Sequence, residues 1–224
     1  MFPKQTIRFL KQLAANNNRE WFAENKQRYD DDVRAPALQF IESMQPALNR
    51  ISPYVEASAK NVGGSLMRVY RDTRFGADKT PYKTNIGINF RHARAKDVHA
   101  PGYYLHIEPG DVFFGAGIWH PDSPTLLGVR TLMAEHPAEW KALKKKVLSR
   151  TDFELVGSEL KRAPKGFDPE HELIDDLRRK DFIAICKLPA ASIHAEDFNK
   201  TVGKLMKQSA PLMAFICEAN DLMF

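Results

Sequence analysis

The stretch GYYLHIEPGDVFFGAGIW, residues 102–119, decides the fold. Apolar side chains recur at every second position on both sides of Glu108-Pro-Gly-Asp111, a combination that is typical of a tight turn. The pattern therefore predicts two strands joined as an antiparallel β-hairpin. Two further strands are expected upstream, and the connections are too short for the helical crossovers that parallel strands need. The four predicted strands are residues 65–71, 85–92, 102–108 and 111–119.

Helical patterns lie on both sides of this β-rich middle. The first fifty residues carry apolar side chains at helical spacing, with breaks expected at Asn16–Asn18 and near Pro36. Helical spacing returns after Trp119, and the apolar run 182–188 could add a fifth strand. We therefore predict an α+β fold, in which an antiparallel sheet of four to five strands in the middle of the chain is packed on one face by N- and C-terminal helices. The helices expected in the second half are 126–134, 138–148, 170–179 and 195–222, the last one interrupted near Pro211.

Composition places the chain among ordinary globular proteins. It has 224 residues, of which 43% are hydrophobic and 27% are charged, so a core can form without disulfides or a structural metal. No internal repeat or long linker divides the sequence, and we expect one domain over residues 1–224. The net charge of +5 permits an anionic partner but does not imply one.

Cysteine usage and the N-terminal residues bear on the cellular compartment. The two cysteines, Cys186 and Cys217, stand in apolar runs that predict buried free thiols, which suits a reducing compartment. The sequence has no Cys-x-x-Cys pair, and this excludes a zinc ribbon or a thioredoxin-like site at the level of motifs. The first residues lack the apolar region of a signal peptide, and no run is long enough to span a bilayer. We therefore expect a cytoplasmic protein without a membrane partner.

The predicted sheet has two different faces, because side chains alternate along each strand. One face is apolar throughout, and we expect the helices to cover it. The other face carries polar groups beside aromatic rings, and Gly115 and Gly117 leave space next to Trp119. Such a mixture can form a ligand cleft, but a solvent-facing side or a layer covered by the C-terminal helices would also carry it. The polar face comprises Asn85, Gly87, Asn89, Arg91, Tyr104, His106, Glu108, Phe113, Gly115, Gly117 and Trp119, with Arg68 and Tyr70 added if the first strand has the expected register.

The second notable feature is the charged segment, residues 68–83, which reads RVYRDTRFGADKTPYK. Gly76 and Pro81 are turn residues, so the segment is expected to leave the first strand as a loop. Arg71 and Arg74 could each bind a phosphate or carboxylate through two parallel hydrogen bonds, helped by the lysines of the segment. Alternatively, the aspartates of the segment could pair with these arginines and fix the loop, at about 0–1 kcal/mol for each exposed pair.

The charged segment is also the longest of several motifs. It reads R-x-x-R-D-x-R-F-x-x-D-K-x-P-Y-K from Arg68, and shorter motifs accompany it. Together they resemble, over nearly the whole chain, an uncharacterised and widespread bacterial family of conserved hypothetical proteins, a domain of unknown function. Glu172 departs from the family pattern, which has proline after the histidine. The resemblance implies one intact domain and no reaction type. The shorter motifs are Asn17-Asn-Arg-Glu-Trp-Phe22, Pro101-Gly-Tyr-Tyr104, Gly115-Ala-Gly-Ile-Trp119 and Gly166-Phe-Asp-Pro-Glu-His171.

These features favour a pocket-bearing module that binds a small anionic ligand, containing a phosphate or a carboxylate, through the Arg/Lys-rich loop. One alternative is an enzyme that uses the same pocket, with His106 or Glu108 as the acid or base. Another is a nucleic-acid or protein interaction module, because the cations alternate with rings, such as Phe75, that could stack on bases. The candidate ligand-binding residues are Arg68, Arg71, Asp72, Arg74, Asp78, Lys79, Tyr82, Lys83, Tyr104 and Trp119.

Other chemistries lack a motif in this sequence. It contains no Gly-x-Ser-x-Gly elbow, no Walker-type phosphate loop and no Gly-x-Gly-x-x-Gly fingerprint after a strand. We therefore expect no cofactor. His106 and Glu108 could act as adjacent metal ligands, but two groups are too few, and the third would have to come from Asp72, Asp78 or His120. We expect no metal site.

Overall fold

A computed structural model gives the fold and describes residues 1–74, 77–94, 100–148 and 152–224. In this part of the chain five strands form one antiparallel sheet in the order β1-β2-β3-β5-β4. The tight turn at Pro109-Gly110 joins β2 to β3, as the sequence predicts. The strands are β1 (Ile86–Arg91), β2 (Gly102–Glu108), β3 (Asp111–Ile118), β4 (Phe153–Val156) and β5 (Phe182–Leu188).

Four α-helices precede the sheet in the described chain, three lie between β3 and β5, and the last follows it, and this arrangement confirms the predicted α+β class. Asn18 and Asp122 begin two of them, because each side chain accepts a hydrogen bond from a backbone N–H in the first turn. Asp30–Arg34 forms a π-helical turn before the longest N-terminal helix, and Ala190–His194 is a 3₁₀-helix. The α-helices are α1 (Lys4–Ala15), α2 (Arg19–Glu24), α3 (Lys26–Tyr29), α4 (Ala35–Ile51), α5 (Ser123–Glu135), α6 (Pro137–Leu148), α7 (Ile174–Leu177) and α8 (Phe198–Glu218).

Helices α4 and α8 cover the apolar face of the sheet, as predicted. The Tyr103 hydroxyl on β2 donates a hydrogen bond to the carbonyl of Met206 on α8, over 3.3 Å. The side chains that β1, β2, β3 and β5 direct to this side are buried in a common core. The opposite face is therefore free of α4 and α8 and available for a site. The buried set is Ile86, Ile88, Phe90, Tyr103, Leu105, Ile107, Val112, Phe114, Ala116, Ile118, Phe182, Ala184 and Cys186.

The prediction of a strand at 65–71 is wrong, because the backbone of this segment changes hydrogen-bond partners halfway along. The Met67 N–H donates to Gly87 of β1, whereas Val69 accepts from the Lys83 N–H. Only isolated bridges result, at Leu66 and at Tyr70. The segment therefore crosses from the edge of the sheet to residues 81–83 without completing a ladder with either.

Three other elements differ from the prediction. Strand β4 was not expected, because four residues between loops show too little alternation to stand out. The helix predicted at 170–179 is only the single turn α7. Helix α8 runs through Pro211 without the predicted interruption, since the buried side chains on both sides of the proline outweigh one missing backbone donor.

Candidate functional site on the open face of the sheet

The sheet face opposite α4 and α8 bears a cavity of about 530 Å³. Cavities of roughly 300–1,000 Å³ are the size that small-molecule sites in proteins have. Its lining comes mainly from the polar face expected from the sequence, together with side chains from β4, β5 and the segment before β1. The described lining residues are Met67, Lys83, Asn85, Gly87, Asn89, Ala100, Gly102, Tyr104, His106, Phe113, Gly115, Ala116, Gly117, Trp119, Val156, Gly157, Ile183 and Ile185.

Two glycines on β3 shape the floor of the cavity for different reasons. Gly117 has φ +133°, and a Cβ there would lie 1.9 Å from the carbonyl oxygen of Phe182. Gly115 has ordinary strand geometry, and a Cβ there would lie 3.8 Å from its nearest neighbour, on Ile183. Gly117 is therefore required by the close approach of β5, whereas Gly115 leaves open space that a larger side chain could fill.

Polar side chains form a connected chain at the other side of the cavity. The Asn85 amide and the Tyr104 hydroxyl each lie 3.3 Å from His106 Nδ1. Because an amide nitrogen can only donate, Nδ1 accepts from Asn85, and the neutral ring carries its proton on Nε2. Nδ1 has one lone pair, so the hydroxyl proton of Tyr104 is not committed to it. That Nε2 lies 3.4 Å from a carboxylate oxygen of Glu108, whose other oxygen accepts from the Thr84 hydroxyl over 2.6 Å. These contacts hold the imidazole in one orientation in the cavity lining.

Two further features concern the rings of His106 and Tyr104 in this hydrogen-bonded group. The His106 ring stacks on Phe113, with ring centroids 4.6 Å apart and an interplanar angle of 10°. Burial raises the pKa of Tyr104 to about 12. The phenol therefore stays protonated at neutral pH and can donate a hydrogen bond into the cavity.

Lys83 is the one cation among the described lining residues. Its backbone N–H donates to the Val69 carbonyl, and the residue lines the cavity in a half-buried position. Burial, followed by the charge of Arg68, lowers the pKa of the Lys83 amine. No carboxylate in the described ranges lies within ion-pair distance of it. The ammonium is therefore available to a ligand.

Tyr82 holds Lys83 in place from the preceding position. The Asn17 side chain donates to the Tyr82 carbonyl over 2.9 Å and accepts from its N–H over 3.1 Å. The Phe22 ring stacks on the Tyr82 ring at 4.0 Å between centroids, and Tyr82 is only 4% exposed. The N-terminal motif Asn17–Phe22 thus packs directly on the end of the charged segment.

Two arginines of the charged segment, Arg71 and Arg74, are bonded to nearby acceptors. Arg71 donates to Asp78 and, over 2.9 Å, to the Thr80 hydroxyl. Arg74 binds both oxygens of Asp72 through its Nε and Nη2 atoms, at 2.9 and 2.7 Å. The Arg74 guanidinium holds the pKa of Asp72 well below its usual range. Hydrogen bonds from Thr80, and then Arg71, lower that of Asp78. The pairing alternative considered for these arginines is therefore the one the structure contains.

Some of the remaining candidate ligand-binding residues line the cavity, and the others do not. Lys79 donates to the Thr73 carbonyl over 2.8 Å, away from the described cavity lining. Phe75 and Gly76 lie outside the described residues. Of the candidate ligand-binding residues, Lys83, Tyr104 and Trp119 line the cavity, as does His106, with Glu108 behind it. Those not found among its described lining residues are Arg68, Arg71, Asp72, Arg74, Asp78, Lys79 and Tyr82.

Sequence reasoning missed the wall contributed by β4 and β5. Ile183 and Ile185 alternate with the buried residues of β5 and therefore lie on the opposite face of the sheet. Their place in the cavity depends on the pairing of β5 with β3, which sets Gly115 opposite Ile185. The two strands pair across some seventy residues of sequence, and such a long-range pairing leaves no pattern in the local sequence from which it could be predicted.

The mouth of the cavity next to Trp119 is held by a buried carboxylate. Asp181 accepts from the His120 N–H over 2.7 Å and lies 3.2 Å from His120 Nδ1. Its other oxygen accepts from Ser158. His120 takes a left-handed conformation, with φ +48°, that these bonds maintain. Trp119, which is 52% exposed, is thereby positioned at the rim.

Comparison with known proteins assigns the chain to a family but assigns no activity to it. Residues 5–215 match a family described as conserved hypothetical protein (DUF2461), which confirms the resemblance drawn from the motifs. No curated protein and no solved structure matches the chain. The described ranges contain neither a cluster of three or more metal-binding side chains nor a helix with the length and hydropathy to cross a membrane.

Proposed function

We propose that this chain, which belongs to the DUF2461 family of conserved hypothetical proteins, acts as one domain that binds a small molecule in the cavity on the open face of the sheet. The ligand has an apolar body and an anionic group, a carboxylate or a phosphate. The observation that carries the proposal is Lys83, a half-buried cation on an otherwise uncharged lining, with no carboxylate in ion-pair reach among the described residues.

The walls of the cavity favour an apolar ligand body. Met67, Phe113, Ile183 and Ile185 line it from different segments, and Trp119 stands at the rim. Removing apolar surface from water stabilises a complex by about 25 cal/mol for each Å². A flat aromatic or short aliphatic group would therefore gain most of its affinity here.

The polar groups of the cavity favour an acceptor of hydrogen bonds at the ligand's other end. Lys83 can only donate, and the protonated phenol of Tyr104 and the amide of Asn85 can donate as well. Arg68 adds positive potential near Lys83 without lining the cavity in the described residues. A carboxylate or phosphate oxygen satisfies such donors, and hydrogen bonds to charged groups contribute about 1.5–3 kcal/mol each.

Calorimetric titration with naphthoate and with the uncharged naphthamide tests this proposal. We expect Lys83→Met to weaken naphthoate binding about tenfold or more, which corresponds to about 1.4 kcal/mol, and to leave naphthamide binding nearly unchanged. Lys187→Met is the matched control, because Lys187 lies on the same face but is paired with Asp111. Equal losses for both ligands, or no binding of any aromatic carboxylate or phosphate by the wild type, would refute it.

An enzyme using the same cavity is a second candidate, favoured by the contact between His106 and Glu108. A carboxylate behind an imidazole holds the ring in one orientation, so His106 could pass a proton to or from a bound substrate. If a substrate is found, His106→Ala is expected to abolish turnover and retain naphthoate binding. Turnover that survives this substitution would rule the role out.

We also propose a cytoplasmic location, supported by the state of the two thiols. Cys186 and Cys217 are free and buried, and burial raises the pKa of the Cys217 thiol to about 12. Such thiols fit a reducing compartment. Fractionation of cells that express the protein without added signals checks this, and recovery in a secreted or membrane fraction would contradict it.

A further inference from the structure

We infer that the amine of Lys83 forms a reversible imine with an aldehyde or ketone seated in the same cavity. This inference rests on the proposed function for the place of binding, but it changes the chemistry from an ion pair to a covalent bond. The class of ligand is a carbonyl compound with an apolar body of about naphthyl size, as the volume and the walls of the cavity allow.

The surroundings of Lys83 are those of a nucleophilic lysine. Amines become reactive when they are desolvated in an apolar pocket or placed next to another cation, because both reduce the cost of losing the proton. Lys83 has both conditions, since it is half-buried against the lining and stands near Arg68. Within the described ranges no carboxylate is placed to hold the amine in its charged form. A larger fraction of Lys83 is therefore unprotonated at a given pH than of a lysine in water.

The groups needed to move protons line the same cavity as Lys83. Asn85, two residues along the chain, lines the cavity as well and contacts the imidazole of His106, which also contacts the Tyr104 hydroxyl. The phenol is protonated at neutral pH, so it can donate to a carbonyl oxygen in the cavity. His106 can accept and return a proton through its ring nitrogens.

The step balances without a further reagent. The lone pair of the Lys83 nitrogen attacks the carbonyl carbon, a C–N bond forms as the C=O π bond breaks, and one amine proton passes to the oxygen to give a neutral carbinolamine. The C–O bond then breaks, the second amine proton leaves the nitrogen, and the hydroxyl group departs with one proton as water, which leaves the C=N bond. Hydrolysis reverses the sequence and returns the free amine and the carbonyl compound.

Other lysines of the chain provide internal comparisons. Lys187 is on the same sheet face, but it pairs with Asp111 and lies 5.0 Å from the centre of the Phe113 ring. Lys79 is exposed and donates to the Thr73 carbonyl. Neither lines the described cavity. An aldehyde that reacts with lysines only according to their exposure would label these two ahead of Lys83.

The test is reductive trapping followed by peptide mapping. Wild type, Lys83→Arg and Lys187→Arg are treated with naphthaldehyde and sodium cyanoborohydride, and naphthoate binding is titrated in parallel. We expect most of the naphthylmethyl label on Lys83 in the wild type and in Lys187→Arg, and loss of that label when naphthoate is in excess. Lys83→Arg should lose the label and keep naphthoate binding, because arginine retains the charge and forms no stable imine under these conditions.

The outcomes separate the two proposals. Label distributed over the surface lysines, unaffected by naphthoate, overturns the inference, and the map on the wild type alone decides this even if Lys83→Arg folds poorly. Naphthoate binding without label on Lys83 overturns the imine and leaves the proposed function standing. Label on Lys83 without naphthoate binding supports the imine and refutes the proposal that the cavity binds an anionic ligand.

Discussion

In the charged segment, Arg71 and Arg74 are bonded to carboxylates seven and two residues away, whereas Lys83, at the end of the same segment, faces the cavity without one in the described part of the chain. The arginines and aspartates attract attention in the sequence because they are dense, yet that density lets them satisfy one another. Lys83 is set apart by burial and by the surrounding apolar walls. A site for a ligand is therefore indicated by donors that lack a local partner rather than by the number of charges.

The largest expected effect separates the two glycines on the cavity floor. We expect Gly117→Ala to lower the free energy of unfolding by about 3 kcal/mol, because φ +133° is unfavourable for alanine and its Cβ would meet the Phe182 carbonyl. Gly115→Ala should leave stability unchanged or raise it by roughly 0–1 kcal/mol, since its Cβ has space. Urea denaturation measures both. Equal losses would show that the cavity at Gly115 is closed.

A smaller effect is expected at the junction between the cavity and the charged segment. Asn17→Ala removes both bonds to the Tyr82 backbone and leaves a donor and an acceptor unpaired, so we expect a loss of about 1–3 kcal/mol in urea denaturation. Naphthoate binding should weaken as well, because Lys83 is no longer fixed. Asn16→Ala is the control, as its side chain bonds only to the exposed end of α1. Unchanged stability in Asn17→Ala would show that its bonds to the Tyr82 backbone do not hold this junction together.

The smallest effect is expected within the charged segment itself. Arg71 and Asp78 have side chains that are 37% and 52% exposed, and such pairs contribute about 0–1 kcal/mol. We expect Arg71→Ala to lower the melting temperature by no more than a few degrees and to leave naphthoate affinity within twofold of the wild type. A tenfold loss of naphthoate affinity would show that the arginines of the charged segment, rather than Lys83, bind the anion.

Much of the fold is predictable because its patterns are local. The alternation around the turn at Pro109-Gly110 sets the β2–β3 hairpin, and the apolar side chains of both strands are buried as that alternation requires. The breaks at Asn16–Asn18 and His136-Pro137 also follow from local turn and capping chemistry. The family, too, is indicated by motifs that can be read one at a time.

The remaining features depend on long-range contacts. Residues 65–71 have the alternation of a strand, but their backbone groups are divided between Gly87 and residues 81–83, which no local pattern records. Likewise, the sequence presents Arg71 and Asp78 as candidates for either a ligand or each other, and only the folded loop decides. The role of Tyr82 as a support for Lys83 requires Asn17, from the connection between α1 and α2, and Phe22 from α2.

Calorimetric titration of naphthoate into the wild type and into Gly115→Leu tests most directly whether the cavity is a binding site. A Cβ at position 115 would make ordinary contacts of 3.8–3.9 Å with Ile183, Ile185 and the Tyr104 carbonyl, and we expect the rest of the leucine side chain to extend into the cavity. We predict binding to the wild type, no detectable binding to Gly115→Leu, and a melting temperature for the variant equal to or above that of the wild type. Undiminished binding to a folded Gly115→Leu would show that the ligand binds elsewhere.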